Sequence, residues 1–347
     1  MIRIPSLHAL AGAALVALAP AVHALPASYH VTDLGLNIYG EDINSNGEIA
    51  VYDTRTGKAK NQAAYWQNGV VVDLPNPGPT GAAYAINDAG VIGGLVTLKN
   101  SSPQAAIWTA SHSLVELGSL FPGALSSLVT AVGPNGDCGM TVDVPNVGTR
   151  AYYAPGCGNP VELPTFGGSG GANGITGINA SGQVAGYATT AAGPSNTMAF
   201  IWQNGVMKNL GVCRNKTNSA ASGINATGHA VGTCSEDFGA KLVAFYYDGT
   251  SMITMGSLGG KQTAANDIND AEVIVGRSQD ASGNWRAFVD DRSGKQHPLI
   301  DLQTMLDSSG AGWILSGARK INAAGQILVD GTLNGVKGHT ALLTPTN

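Results

Sequence analysis

A short phrase, Ile-Asn-x-x-Gly-x-Ile/Val, returns along most of the chain and constrains the fold more than any other feature. It reads INSNGEI (43–49), INDAGVI (86–92), INASGQV (178–184) and INAAGQI (321–327). Weaker copies are VGPNGDC (132–138), INATGHAV (224–231) and INDAEVIV (268–275). With Asn135 taken as the third-copy equivalent, the motif asparagines are separated by 43, 48, 44, 46, 44 and 53 residues. A chain with this period builds one supersecondary unit many times, each unit covering its neighbour's apolar face.

Each period holds four short strands. Strand A ends in Ile-Asn, and Asn-x-x-Gly makes a tight turn in which Asn bonds locally and Gly takes a positive φ. Strand B is the Val/Ile-rich run after that Gly. Strand C is an Ala-aromatic run: AAYW (63–66), AAIW (105–108), AYY (151–153), AFIW (199–202), AFYY (244–247) and AFV (287–289). Strand D ends in Leu. The C–D links Gln67-Asn68-Gly69, Gln203-Asn204-Gly205 and Tyr247-Asp248-Gly249-Thr250 carry hairpin-turn dipeptides. The chain opens with a lone D strand, Tyr29–Gly35, and closes with a C strand, Gly338–Leu343, that lacks its D. The expected fold is therefore all-β: a seven-bladed β-propeller of four-stranded antiparallel blades, closed by the N-terminal strand joining the last blade. Closure hides sheet edges that an open array would expose. A parallel β-helix is the runner-up, but its shorter coils lack repeated two-residue hairpins.

Residues 1–24 read as an export signal peptide. Arg3 precedes an apolar stretch from Leu10 to Val22, and Val22-His23-Ala24 offers small residues at a cleavage site. That stretch is too short for a membrane span, so the expectation is a single exported propeller domain over 25–347, extracellular or periplasmic and without membrane insertion. Charged residues are 12% of the chain, Gly occupies 48 positions and the net charge is −5. This composition suits many short strands, and it lacks the basic stripe of a nucleic-acid binder. In an exported chain, Cys138, Cys157, Cys213 and Cys234 are expected to form disulfides. Four cysteines allow three connectivities. Strand placement favours Cys138–Cys157 and Cys213–Cys234, and both pairs are expected near the B–C/D–A face.

The repeat INxxGxIVG…AFxW…LGxLGG resembles the extracellular HAF-repeat family over residues 29–346, with the eponymous triplet as MAF (198–200), VAF (243–245), RAF (286–288) and HTA (339–341). The third copy departs most, lacking Ile-Asn and carrying two cysteines. The resemblance implies export and repeat architecture and brings no reaction, cofactor or catalytic residue.

The candidate functional face carries the longer B–C and D–A loops, because variable loops on a rigid scaffold are where binding resides. Trp66, Trp108 and Trp202 share a strand-C position and are expected in the core. Trp285 and Trp313 break that register and, with Arg286 and Arg319 (and Lys320 nearby), form the candidate ligand-binding patch for an extracellular glycan or peptide. Gly167-Gly168-Ser169-Gly170-Gly171 matches a hydrolase signature but lies in a D–A link, whereas the nucleophile elbow needs a strand-to-helix turn. His30, His112, His229, His297 and His339 include no metal-spaced pair, and the Asn-rich turns lack the carboxylates of a calcium site. Glu236-Asp237 and Asp290-Asp291 read as solvated loop charges. No metal, cofactor or catalytic set is expected. The leading reading is a secreted non-enzymatic binding or scaffold protein. The alternative is a secreted polysaccharide hydrolase or lyase with two carboxylates converging on the loop face.

Overall fold

The computed structural model describes residues 25–55, 61–99, 101–236, 241–293 and 297–346. The expected signal segment, 1–24, and Asp237 lie outside them. Seven four-stranded antiparallel sheets follow one another: blade 1 (38–73), blade 2 (80–116), blade 3 (126–162), blade 4 (174–211), blade 5 (218–254), blade 6 (259–301) and blade 7 (313–346). Blade 7 takes its outer strand from the other end of the chain. Ser28–Leu36 pairs antiparallel with Val336–Thr346, placing Val31 opposite Leu343. His30 and His339, on the two strands of this seam, reach Asp307 at 3.2 Å and Asp33 at 3.0 Å. The seven-bladed propeller and its N-terminal closure match the sequence expectation.

The repeat motif does more than make a turn. Asn44 Oδ1 accepts the N–H groups of Asn46 and Glu48, closing the A–B turn. Its Nδ2 donates to the Glu48 carboxylate and to the Asn87 carbonyl of the next blade, at 2.7 and 3.2 Å. Two donors and two acceptors exhaust the capacity of the amide. The bond to the next blade recurs from Asn87 to Gly133, Asn179 to Asn225, Asn225 to Asn269, Asn269 to Asn322 and Asn322 back to Asn44. The motif is thus a ring of hydrogen bonds about the axis.

Blade 3 corrects the alignment. Gly133, not Asn135, occupies the motif position, since the Gly133 N–H donates to Asp137 O as Asn44 N–H does to Glu48 O. The true spacings around it are 46 and 46 residues. Asn135 supplies the missing bond from two residues further on, donating to Ala180 O at 2.9 Å.

Apolar clusters fill the gaps between blades. Trp66, Trp108 and Trp202 are buried there, opposite Ile49, Ile92 and Val184 of strand B. In blade 3 the corresponding pair is Ala154 opposite Cys138. The Cys138–Cys157 disulfide is buried with Ala154 in the same cluster, occupying space that tryptophan fills elsewhere. This bridge joins the start of strand B to the C–D link, so it lies at the short-turn face. That corrects the expectation that both disulfides approach the variable face. Cys213–Cys234, which ties the link after blade 4 to the end of strand B in blade 5, does lie on the B–C/D–A side.

Candidate functional site

Every strand A carries a β-bulge at the same place, one residue before the residue preceding the motif Ile. The residues skipped in the A–B register are Glu41, Tyr84, Thr130, Thr176, Ser222, Asn266 and Arg319. A bulge leaves one residue unpaired and re-aims its side chain. Here the bulged residues and their successors face the axial channel or the neighbouring blade. Thr130, Thr176 and Asn266 donate to Ile175 O, Ala221 O and Ala318 O of the next strand A.

The channel is layered. At the A–B end, Ile43, Ile86, Val132, Ile178, Ile224 and Ile321 surround a space of about 230 Å³. Deeper in, a space of about 170 Å³ is bordered by Asp42, Tyr84, Thr130, Thr176, Asp267 and Lys320. Toward the B–C/D–A side, a cavity of about 590 Å³ opens between blades 6, 7 and 1. It is lined by Glu41, Asn266, Arg277, Trp285, Ser316, Gly317, Ala318, Arg319, Lys320 and Asp330. Its volume falls within the range of small-ligand sites.

Charge is concentrated here by the repeat itself. The dipeptide before each motif Ile or Val is Glu41-Asp42, Tyr84-Ala85, Thr130-Ala131, Thr176-Gly177, Ser222-Gly223, Asn266-Asp267 and Arg319-Lys320. Blades 2 to 5 are uncharged at these positions, while blades 6, 7 and 1, adjacent once the ring closes, hold all five charges. Arg319 Nε donates to Asp330 Oδ2 at 2.7 Å and Nη1 to Glu41 Oε2 at 3.2 Å. Lys320 Nζ lies 4.0 Å from both Asp42 Oδ1 and Asp267 Oδ1. Asp42 accepts the N–H groups of Ile43 and Ile86, and Asp267 that of Ile321 in the next blade. Burial pushes Asp267 up to about 6, against the pull of Lys320, and raises Asp42 and Glu41 as well. Burial alone would lower Lys320, but Asp267 and Asp42 outweigh it and raise its pKa. The Arg277 guanidinium lies 4.6 Å over the Trp285 ring, in cation–π range.

Of the four patch residues read from sequence, the structure brings Trp285 and Arg319 to this cavity. Arg286 instead bonds Asp280 at 3.1 Å within the B–C hairpin of blade 6. Trp313 is a correction. It starts strand A of blade 7, is buried in the core shared by blades 6 and 7, and meets His339 edge-on at 5.8 Å. The link before it forms two short 3-10 turns, and Gln303 accepts the Leu315 N–H, holding this strand against blade 6. Glu41, Asn266, Arg277, Ser316 and Asp330 were not singled out, because they lie on strands and attention to loops passes over them. The departure of blade 1 from a neutral bulge residue is a signal for Glu41, and the others have none of that kind. Gly167–Gly171 runs between strands with no helix following it. His229 belongs to a cluster with Glu272 and Tyr246 at the opposite face.

A closed propeller with a charged, aromatic-edged cavity at its channel mouth defines a class by architecture. No protein-family profile and no curated protein matches the chain. Among solved structures it is similar to the β-propeller domain of the Trilobed protease from Pyrococcus furiosus, at TM-score 0.55 and 9% identity, over 93% of this chain and 97% of that one. That domain is described as having an open velcro topology; in this chain the terminal strands pair. YCF48 bound to D1 peptide gives TM-score 0.51 at 12% identity, over 95% of this chain and 99% of that one. Pyrococcus horikoshii acylaminoacyl peptidase gives 0.54 at 11%, over 86% of this chain and 49% of that one. At these identities the likeness shows the fold.

Proposed function

We propose that this chain is an exported HAF-type repeat protein that binds an extracellular glycan or peptide in the cavity between blades 6, 7 and 1, without turning it over. The observation that carries the reading is the confinement of charge at the bulge dipeptide, the skipped residue and its successor, to three adjacent blades, beside Trp285. Blades 2 to 5 close with Ala, Gly, Thr, Ser and Tyr at the same positions, so contact between neighbouring blades does not require charge there. Two disulfides suit an oxidising extracellular or periplasmic setting. Among the described residues no helix is long and apolar enough to cross a membrane. The test is a glycan and peptide array probed with the wild type and with Trp285→Ala. Wild-type signal that the variant loses, with melting unchanged, supports the site; signal retained in full by the variant refutes it.

A hydrolase or lyase is the second reading, favoured by the convergence of Asp42 and Asp267 on Lys320. Asp267, raised to about 6, approaches the range useful to a general acid. Against it, the Asp42 and Asp267 carboxylates accept backbone N–H groups and flank Lys320, while Glu41 and Asp330 are bound to Arg319. Cleavage of any member of a polysaccharide panel, abolished by Asp267→Asn, would establish this reading over the first.

A further inference from the structure

We infer that the cavity selects an anionic saccharide, a chain bearing uronate carboxylates, with Arg277 as the carboxylate-reading residue. This rests on the site proposed above and names its ligand class. Glu41 and Asp330 share the cavity lining with Arg277, Arg319 and Lys320, and Asp42 and Asp267 flank Lys320 beneath it. The acids are already engaged, since Arg319 holds both carboxylates and Lys320 lies between Asp42 and Asp267 below the cavity. Arg277 is the exception. It is exposed on strand B of blade 6 and forms no ion pair among the described residues. Its guanidinium lies over the Trp285 ring, 4.6 Å from the centroid, and its stem passes Gly317 in strand A of blade 7 at ordinary van der Waals distance.

With no hydrogen bond or ion pair to Arg277 among the described residues, its donors remain in the fork geometry that takes a carboxylate bidentately. Most of the remaining lining is polar: Asn266, Ser316, and the oxygens of Glu41 and Asp330 that can accept from hydroxyls. Apolar lining is confined to Trp285, Gly317 and Ala318. A peptide anchors by side chains in apolar pockets or by pairing with a sheet edge, and this cavity offers neither. A ligand dense in hydroxyls with one carboxylate per ring fits it better.

The test is calorimetric titration of the full mature chain with a galacturonate tetramer, its carboxyl-reduced neutral counterpart and a hexaglutamate peptide. The uronate is expected to bind at least about tenfold more tightly than the reduced sugar, the worth of one charge-assisted pair. Arg277→Ala should erase that preference without altering melting. Arg277→Lys should restore part of it, and added salt should weaken it. Equal binding of both sugars, preference for hexaglutamate, or an Arg277→Ala variant that keeps the preference would each overturn the inference while leaving the cavity as the site. Silence of all three probes, with array ligands still lost in Trp285→Ala, overturns it too; silence together with a blank array sinks both readings.

Discussion

The side chain of Asn322 makes two kinds of bond that can be separated by substitution. Its Oδ1 accepts the Gln326 N–H within the turn, while Nδ2 donates to Asn44 O across the closure of the ring. Asn322→Asp keeps the acceptor and loses the donor, so the turn should persist while the molecule loses about 1–3 kcal/mol, measurable by denaturant unfolding. An unchanged midpoint would remove the asparagine ring from the account. Asp267 gives a second test. Its folded pKa, raised to about 6 from 3.8, means that the folded state binds the proton more tightly than the unfolded one. Its contribution is therefore greatest below about pH 4 and is lost as pH rises through 6, by up to about 3 kcal/mol. Burial raises Asp42 in the same direction. Asp267→Asn should flatten that part of the stability–pH curve, and a curve still falling with the wild-type slope would contradict the assignment.

Strand A shows what sequence could and could not reveal about an element. Its end is legible because Asn and Gly announce the turn, and strand C because the Ala-aromatic run recurs. The bulge is not legible, since one skipped residue looks like ordinary alternation until the partner's register is known. A glycine on strand B of blade 6 is packed closely against this strand. A Cβ on Gly276 would stand 2.2 Å from Ala264 O and 2.8 Å from the Phe288 ring. Gly276→Ala should cost about 3 kcal/mol, read as a lower melting temperature, whereas Gly205→Ala, with nothing near its Cβ, should show only the strain of its positive φ. In blade 3 the cysteines were legible as a pair, but their stand-in for a tryptophan needed the register that sets Cys138 opposite Ala154. Replacing Cys138 and Cys157 by alanine should therefore cost more than the roughly 3 kcal/mol of loop closure, because a packing group leaves as well. A loss confined to the roughly 3 kcal/mol of loop closure would argue against the packing role.

At the scale of the whole molecule, the ring was legible from its ends: an unpaired D strand at the start and an unpaired C strand at the finish. Those two strands meet, with Tyr29 and Val31 entering the core of blades 6 and 7. Deleting residues 25–36 should thus expose a sheet edge and a core, and abolish a single cooperative transition. The site was half legible. Trp285 stood out as an aromatic out of register, with Arg319 named as a charge near it, but Trp313, equally out of register, is buried. Only closure places blade 1 beside blade 7, so the convergence of Glu41 with Arg319 could not be read along the chain. The most direct test of the binding cavity is the set of indole N–H resonances of the five tryptophans, followed by NMR while galacturonate tetramer is added. The account predicts that Trp285 shifts with saturation while Trp66, Trp108 and Trp202 stay fixed. Shifts confined to those blade-core tryptophans, or a Trp285 signal that stays still while the sugar binds, would contradict it.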